Sequence, residues 1–257
     1  MSMNNVMEEF PLALIRSSLL SQFPNAAFAM SSRQGEAPDA PYGFNLGYGL
    51  GDDDARVTNN ISRFAEALGL EAADLAMMKQ VHGDTIRDIS EPGLYENTDA
   101  MITRHARIGL TVRSADCVPV VLYAPNEQIV AVVHAGWRGS AARVTLKTVQ
   151  RLVEEFRVDT AGLFAFIAPS AGRCCYQVGA DVAGLFPEAW VDTVGEHHHL
   201  DLKGLNAHQL EQAGVRPDNI EIDGLCTIHN ETLFHSWRRD GEQAGRMLAT
   251  IYLKGEL

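Results

Sequence analysis

The feature that most constrains the fold is a pair of almost purely apolar runs, residues 118–124 and 129–133, separated by a short break. Both runs are rich in valine and too short to be buried helices, so they predict strands in the core. The break contains Pro125 and Asn126, which favour a turn. The simplest arrangement is therefore an antiparallel hairpin.

A hairpin with a tight turn would bring two reactive side chains together. Cys117 and His134 are symmetric about the bond between Pro125 and Asn126, so we predict that they oppose each other at the open end of the hairpin. Directly opposed residues share a face of the sheet, with Cβ atoms roughly 4.5–5.5 Å apart. That separation is small enough for both side chains to hold one metal ion.

The rest of the sequence is that of an ordinary globular protein. Of its 257 residues 46% are hydrophobic and 21% are charged, which is enough apolar material for a large core. We find no internal repeat, low-complexity tract or linker, and we predict a single domain over residues 1–257. No apolar stretch approaches the roughly 20 residues that span a bilayer, so we expect no membrane association.

Net charge and cysteine content indicate which binding partners and which cellular location to expect. The formal net charge of −12 argues against a nucleic-acid-binding protein, which would need a basic face. The first ten residues carry acids where a signal peptide carries positive charge. The four cysteines include an adjacent pair and form no disulfide framework, so we predict a reducing, cytoplasmic location.

Three candidate metal ligands lie at the ends of predicted strands, each beside a small residue. They are His82, Cys117 and His134. One thiolate with two imidazoles is a favoured zinc ligand set, and three protein ligands leave a fourth position open. The spacing matches no short zinc pattern, and each residue is also compatible with simple packing. Two other interpretations stay open, a Cys117–His134 nucleophile and base oriented by Asp116, and a copper site of the His₂Cys type.

Candidate anion-binding residues lie in predicted loops. Arg138 follows His134 across a glycine turn, where its guanidinium could bind a phosphate or a carboxylate. Residues 32–54 form a long irregular segment that includes Arg33 and Asn45, and it is either an ordered binding loop or a surface excursion. A helix is predicted over residues 140–156, with Ser140 as its N-cap and its amides directed towards His134.

Five sequence blocks occur in order along the chain: KQVHG at 79–83, SADCVPVVLYAP at 114–125, HAGWRG at 134–139, IAPSAGRCCYQVG at 167–179 and SWRRDG at 236–241. Together they resemble the YfiH-like family. Any one block alone is a weak signal, whereas five blocks spread over nearly the whole chain are specific. This family was formerly described as multi-copper polyphenol oxidoreductase laccases and is now regarded as zinc-dependent purine nucleoside phosphorylases.

The resemblance implies an α/β (α+β) fold, a single-domain layered sandwich of mixed β-sheets with flanking helices. It implies zinc held by His82, Cys117 and His134, with Cys117, His134 and Asp116 as catalytic candidates. Arg33, Asn45 and Arg138 are the matching candidates for binding substrate or phosphate.

The implied partners are purine nucleosides and phosphate, and the implied state is a monomer or a small homo-oligomer. The expected activity is phosphorolysis of adenosine, inosine, guanosine and methylthioadenosine, together with deamination of adenosine. The alternatives are a copper-dependent polyphenol oxidase, a Cys–His hydrolase that edits peptidoglycan precursors, and a binding protein with a structural zinc. The last predicts a closed site, with Cys226 or His229 as the fourth donor.

The chain also departs from the family pattern at three places. The segment usually written TRxGGVS is SSRQGEAP here, which keeps Arg33. Ser170 replaces a cysteine of the usual GPCIG, and His229 replaces the second cysteine of the usual CTxC. The expected zinc ligands are intact, so these changes bear on substrate preference and on phosphate contacts.

Overall fold

The structure, a computed structural model, describes residues 11–36 and 42–255. Two six-stranded sheets and one three-stranded sheet account for its strands. In chain order the strands are β1 (Leu14–Ile15), β2 (Ala26–Ser31), β3 (Leu75–Lys79), β4 (Ile86–Asp88), β5 (Gly93–Glu96), β6 (Ala100–Thr103), β7 (Gly109–Ser114), β8 (Val118–Ala124), β9 (Ile129–Ala135), β10 (Phe164–Ile167), β11 (Gln177–Val178), β12 (Val191–Val194), β13 (His197–Leu200), β14 (Ile220–Ile222) and β15 (Met247–Leu253). The α-helices are α1 (Asp54–Glu66), α2 (Trp137–Ala141), α3 (Val144–Phe156), α4 (Ala180–Ala183), α5 (Leu202–Gln212) and α6 (Trp237–Asp240).

Both large sheets mix parallel and antiparallel pairs. The first sheet has the order β1-β2-β15-β7-β3-β5, and the second has the order β14-β10-β8-β9-β6-β4. In each sheet the central pairs are antiparallel, and parallel pairs lie towards an edge. The predicted layered α/β sandwich of mixed sheets is confirmed.

The apolar runs that define the hairpin contribute to two different cores. Val120 and Leu122 of β8 pack among residues of α3 and α5, whereas Val121 and Tyr123 pack between the two large sheets. A third core lies under α1, on the other face of the first sheet. Because both faces of β8 are buried, its sequence is continuously apolar rather than alternating. Burial of each such side chain contributes roughly 1.5–3 kcal/mol relative to exposure.

The predicted hairpin of β8 and β9 is confirmed, but its register differs by two residues. His134 pairs with Pro119, not with Cys117. The pairing ends at Ala124 and Ile129, so the loop is longer than the two-residue turn that we assumed. Gln128 adopts a left-handed φ of 52° there, and its side-chain amide donates to the carbonyl of Pro125. A shift of two residues preserves the face of each side chain, so Cys117 remains on the side of His134.

The helix predicted over residues 140–156 is interrupted. Arg143 has a left-handed φ of 63°, and it separates the short α2 from the long α3. Ser140 therefore lies inside α2 and is not an N-cap, and the residue that caps α2 is Gly136. The three consecutive histidines at residues 197–199 belong to β13, the central strand of the small sheet. Within residues 11–36 and 42–255, no helix is both long and apolar enough to cross a membrane.

Candidate metal centre and cavity

Three segments place the predicted ligands at one end of the sandwich. His82 follows β3 of the first sheet, Cys117 lies in the connection from β7 to β8, and His134 is in β9 of the second sheet. One potential ligand atom from each residue lies within 4.8 Å of the other two. The imidazole centroids of His82 and His134 are 4.9 Å apart, with the rings inclined at 75°. The structure thus brings together the three residues that the sequence singled out.

The buried carboxylate of Asp99 fixes the backbone that carries His82. It accepts hydrogen bonds from the amides of His82 at 3.0 Å and Gly83 at 2.7 Å, and from Val81 at 3.3 Å. These bonds hold His82 at a left-handed φ of 60°, which a histidine rarely adopts. Our sequence reasoning did not single out Asp99, although an acid directly before the buried strand β6 was an available signal.

Asp99 also orients His134. The Nδ1 atom of His134 lies 2.8 Å from a carboxylate oxygen of Asp99, and the backbone amide of His134 donates to the Asp99 carbonyl at 2.7 Å. A carboxylate partner favours the hydrogen on Nδ1, which leaves Nε2 available as a ligand. Burial would raise the pKa of Asp99, but hydrogen bonds from His134 and from backbone amides hold it below its usual value.

The surroundings of Cys117 and His134 favour the charged form of each side chain. Burial would raise the pKa of Cys117, but the charges and hydrogen bonds of His134 and His82 lower it to about 6. Burial would lower the pKa of His134, but Cys117 and Asp99 raise it to about 9. The thiolate is the form of cysteine that binds metals, so this environment favours ligation.

The absence of a side chain at Gly136 makes room for all three ligands. A Cβ atom there would lie 3.0 Å from Cδ2 of His82, 3.1 Å from Sγ of Cys117 and 3.8 Å from Cε1 of His134. The first two distances are shorter than ordinary contacts, so any larger residue would push on the ligands.

The three candidate ligands line a cavity of about 590 Å³ that is rich in arginine. This volume lies within the range of small-molecule sites, roughly 300–1,000 Å³. Within the described ranges, no arginine of the cavity has a carboxylate in ion-pair range. Burial lowers the pKa of Arg246, and the nearby positive charge of Arg113 lowers it further. The cavity is thus a local cationic region in an acidic protein, and its arginines are Arg113, Arg138, Arg238 and Arg246.

Aromatic rings lie beside these guanidinium groups. The guanidinium carbon of Arg138 is 4.2 Å from the ring centroid of Trp137, and that of Arg246 is 5.4 Å from the ring of Trp237. Trp237 is 48% exposed, so it is not the core residue that a tryptophan usually is. Tyr48 and Tyr176 complete the aromatic lining. Such a surface can stack a planar ring and bind an anion in the same cavity.

Asp116 lines the cavity, but its carboxylate accepts hydrogen bonds from residues within 227–238. One oxygen accepts from the hydroxyl of Thr227 at 2.6 Å, and the other accepts from Ser236 at 2.9 Å and from the amide of Arg238 at 2.7 Å. The histidine that we expected Asp116 to orient is instead held by Asp99. Asp116 positions the segment that carries Arg238.

Two candidate substrate ligands, Arg33 and Asn45, do not line the cavity. Arg33 donates to the carbonyl of Glu231 at 2.9 Å. Asn45 is fully buried, and its side-chain oxygen accepts from the amides of Gly47 and Arg246, each at 2.9 Å. Asn45 therefore supports the loop that lines the cavity. Arg246 itself was not singled out from the sequence, because no short-range pattern links it to the ligands.

The fourth donor of the predicted closed site is not present in this group. Cys226 lies instead with Cys174 and Cys175 in a second group of potential ligands. Among the residues that the structure describes, no further group of three such side chains comes together. The arrangement is thus a three-donor nitrogen–sulfur site that opens onto a cationic cavity.

Two packed mixed sheets with a group of two histidines and one cysteine at one end define a class of layered α/β proteins. Comparisons with known proteins then identify the family. The family model described as multi-copper polyphenol oxidoreductase laccase matches residues 27–254. The crystal structure of the hypothetical protein YfiH from Bacillus licheniformis superimposes with a TM-score of 0.88 at 28% identity, covering 94% of this chain and 97% of that one. The chain belongs to this YfiH-like family.

Relatives in this family carry two enzyme names. A protein of Deinococcus radiodurans named purine nucleoside phosphorylase is 36% identical over 241 residues, covering 91% of this chain and 92% of its own length. A protein from an unknown prokaryotic organism, named adenosine deaminase RL5, is 34% identical over 247 residues, covering 89% of this chain and 94% of its own length. The full lengths of the chains correspond closely.

Proposed function

We propose that this protein is a zinc-dependent purine nucleoside phosphorylase that also deaminates adenosine. The observation that carries the proposal is the position of the three donors in a cavity lined by arginines and aromatic rings. The names of the relatives support the same substrate class. Nucleosides and phosphate are the partners that a site with both an aromatic and a cationic lining would bind.

The donor set fits zinc. A tetrahedral ion with one sulfur at about 2.3 Å and two nitrogens at about 2.0–2.1 Å needs donors that are separated by less than about 4 Å. Donors within 4.8 Å of one another, with the thiol pKa already lowered, need only a small adjustment. His82, Cys117 and His134 would hold the ion. When bound, zinc supplies a Lewis acid that polarises an oxygen or lowers the pKa of a water molecule.

The remaining residues bind and position the reactants. Arg113 and Arg246 would bind phosphate and neutralise its charge while an oxygen attacks C1′ of the ribose and the purine leaves. Trp137 and Trp237 would hold the purine ring by stacking. In deamination, water instead of phosphate is the attacking group: its oxygen bonds to C6 of the purine, the bond from C6 to the amino nitrogen breaks, and ammonia leaves. Asp116 would keep Arg238 in the cavity wall in both reactions.

Product analysis tests the proposal. Zinc-loaded protein is incubated with adenosine, with and without inorganic phosphate. Free adenine and ribose 1-phosphate are expected only when phosphate is present, and inosine is expected in both samples. Cys117→Ala is the control for contaminating enzymes, and it should lack both activities. Protein that holds zinc at this site and releases neither product would overturn the proposal.

The copper alternative predicts a different metal and a different substrate. Metal analysis of protein purified without added metal separates the two, because a copper oxidase should contain copper and consume oxygen with a phenol. A cluster of several copper ions needs many histidines, whereas the two donor groups among the described residues contain only His82 and His134. This observation favours zinc.

A further inference from the structure

A second group of sulfur donors lies outside the cavity. The Sγ atoms of Cys174, Cys175 and Cys226 all lie within 4.8 Å of one another, and those of the adjacent pair are 3.4 Å apart. None of the three lines the 590 Å³ cavity. Cys226 is 5% exposed, whereas Cys174 is exposed at the surface. The group is thus anchored in the interior and open on one side.

Backbone amides surround the sulfur of Cys226. The amide of Gly172 donates to it at 3.2 Å. The amides of His229 and Ile228 are also within reach of it. A sulfur held by several amide donors is prepared to carry negative charge.

A buried ammonium group holds the loop that leads to Cys226. Lys203 is 7% exposed, and its Nζ donates to the carbonyls of Asp223 at 2.7 Å and Leu225 at 3.0 Å. These two hydrogen bonds fix the backbone directly before the buried sulfur.

The backbone is also packed closely around the group. A Cβ atom at Gly172 would lie 3.1 Å from Cβ of Cys226 and 3.3 Å from Sγ of Cys174. Gly172 therefore has the same relation to these sulfurs that Gly136 has to the first three donors.

We propose that Cys174, Cys175 and Cys226 form a second metal site, which binds a thiophilic divalent ion of the zinc class. Zinc–sulfur bonds of about 2.3 Å place the sulfurs of a tetrahedral site about 3.8 Å apart, close to the separations found here. Each thiol releases its proton to solvent as the ion binds. The fourth position faces solvent beside Cys174 and takes a water molecule. This site is independent of the proposed reaction.

A disulfide is the competing use of the same residues. The adjacent pair, Cys174 and Cys175, has poor geometry for a mutual disulfide. A disulfide from Cys226 to either neighbour would use two of the three sulfurs. The one remaining thiolate would be too few donors for a strong metal site. The experiment must therefore distinguish a bound ion from an oxidised pair.

Titration with Co²⁺, a spectroscopic substitute for zinc, tests the proposal without measuring activity. The protein is full-length Cys117→Ala, reduced and freed of metal, so that every thiolate-to-metal absorption band arises from the second group. We expect about one thiolate-bound Co²⁺ per chain. Adding Cys174→Ser should lower the band to about two thirds, because one of three thiolates is lost. Adding Cys226→Ser should abolish it.

Cys174 is exposed, so its substitution should disturb folding less than that of the buried Cys226. Circular dichroism checks that each variant is folded. A Cys117→Ala protein with all three thiols free and no thiolate-to-cobalt band would overturn the proposal. So would a purified protein in which two of these thiols become reactive only after a reductant is added.

Discussion

The two donor groups differ in how the chain holds their atoms. His134 lies in a strand, and the buried carboxylate of Asp99 fixes both it and the backbone of His82. The cysteines of the second group lie in loops, and backbone amides and Lys203 surround them. The first group lines an arginine-rich cavity, and the second does not. The two groups therefore differ in more than donor type. The first opens onto a cavity that could hold a substrate, and the second does not.

Removing the sulfur of the first group should have the largest effect. We expect Cys117→Ala to lower nucleoside phosphorolysis by more than about 1,000-fold, because the site loses a ligand and its charge. Zinc content should fall by about one ion per chain and not to zero. Cys174→Ser is the matched control, with reduced zinc and unchanged phosphorolysis. Equal losses of activity in both variants would break the distinction between the groups.

Removing the charge behind the first group should have a smaller effect. We expect Asp99→Asn to lower zinc affinity by about 10–100-fold, because the amide no longer accepts hydrogen bonds at both oxygens. Competition with a chelator measures the change. Asp84→Asn is the control and should keep wild-type affinity, because Asp84 lies in the loop that carries His82 but pairs with the surface residue Lys147. Unchanged affinity in Asp99→Asn would show that Asp99 serves folding only.

Two glycine substitutions should each impair one group alone. Gly136→Ala pushes on His82 and Cys117, and Gly172→Ala pushes on Cys226 and Cys174. We expect about a tenfold loss of affinity at the affected group and none at the other. Gly224→Ala is the control, since a Cβ atom there meets nothing within 4 Å. If either substitution also weakened metal binding at the other group, the two groups would be coupled.

The smallest effect concerns thiol reactivity in the metal-free protein. With a pKa of about 6, Cys117 is mostly thiolate at neutral pH, whereas burial and the neighbouring Cys174 raise the pKa of Cys175. Alkylation of Cys117 should become about fourfold slower from about pH 7 to about pH 5.5, since the thiolate is protonated as the pH falls through its pKa. Cys175 should react slowly throughout.

Peptide mass spectrometry after timed exposure to iodoacetamide measures both rates. Zinc should protect Cys117 in the wild type. A rate at Cys117 that keeps rising steeply above neutral pH would show that the imidazoles do not lower its pKa.

Much of the fold was predictable from the apolar runs. The strand β8 is buried on both faces, and its continuously apolar sequence indicates this burial. The register was not, since the conformation of Gln128 that lengthens the turn has no clear sequence signature. The break at Arg143 was missed for the same reason, because a left-handed φ is uncommon for arginine and nothing in the local sequence marks it.

His82, Cys117 and His134 could be grouped from the sequence because each lies at a strand end beside a small residue, and the structure brings them together. Their role as metal ligands stays a prediction. Asp99 and Arg246 were missed because their roles depend on tertiary contacts between distant segments. The adjacent cysteines were noted only as a poor disulfide, since their proximity to Cys226 comes from the packing of two loops. The single domain, the oligomeric state and the identity of the metal stay predictions.

His82 lies in the connection from β3 of the first sheet to β4 of the second, whereas His134 lies within the second sheet, in β9. Asp99, directly before β6 of the second sheet, binds both the backbone of His82 and the ring of His134, so the two imidazoles meet where the chain crosses between the sheets. A metal ion held there would link this crossing to β9, and at 100 times its dissociation constant it would add about 2.7 kcal/mol to the free energy of unfolding. Metal binding and the packing of the two sheets would then stabilise each other.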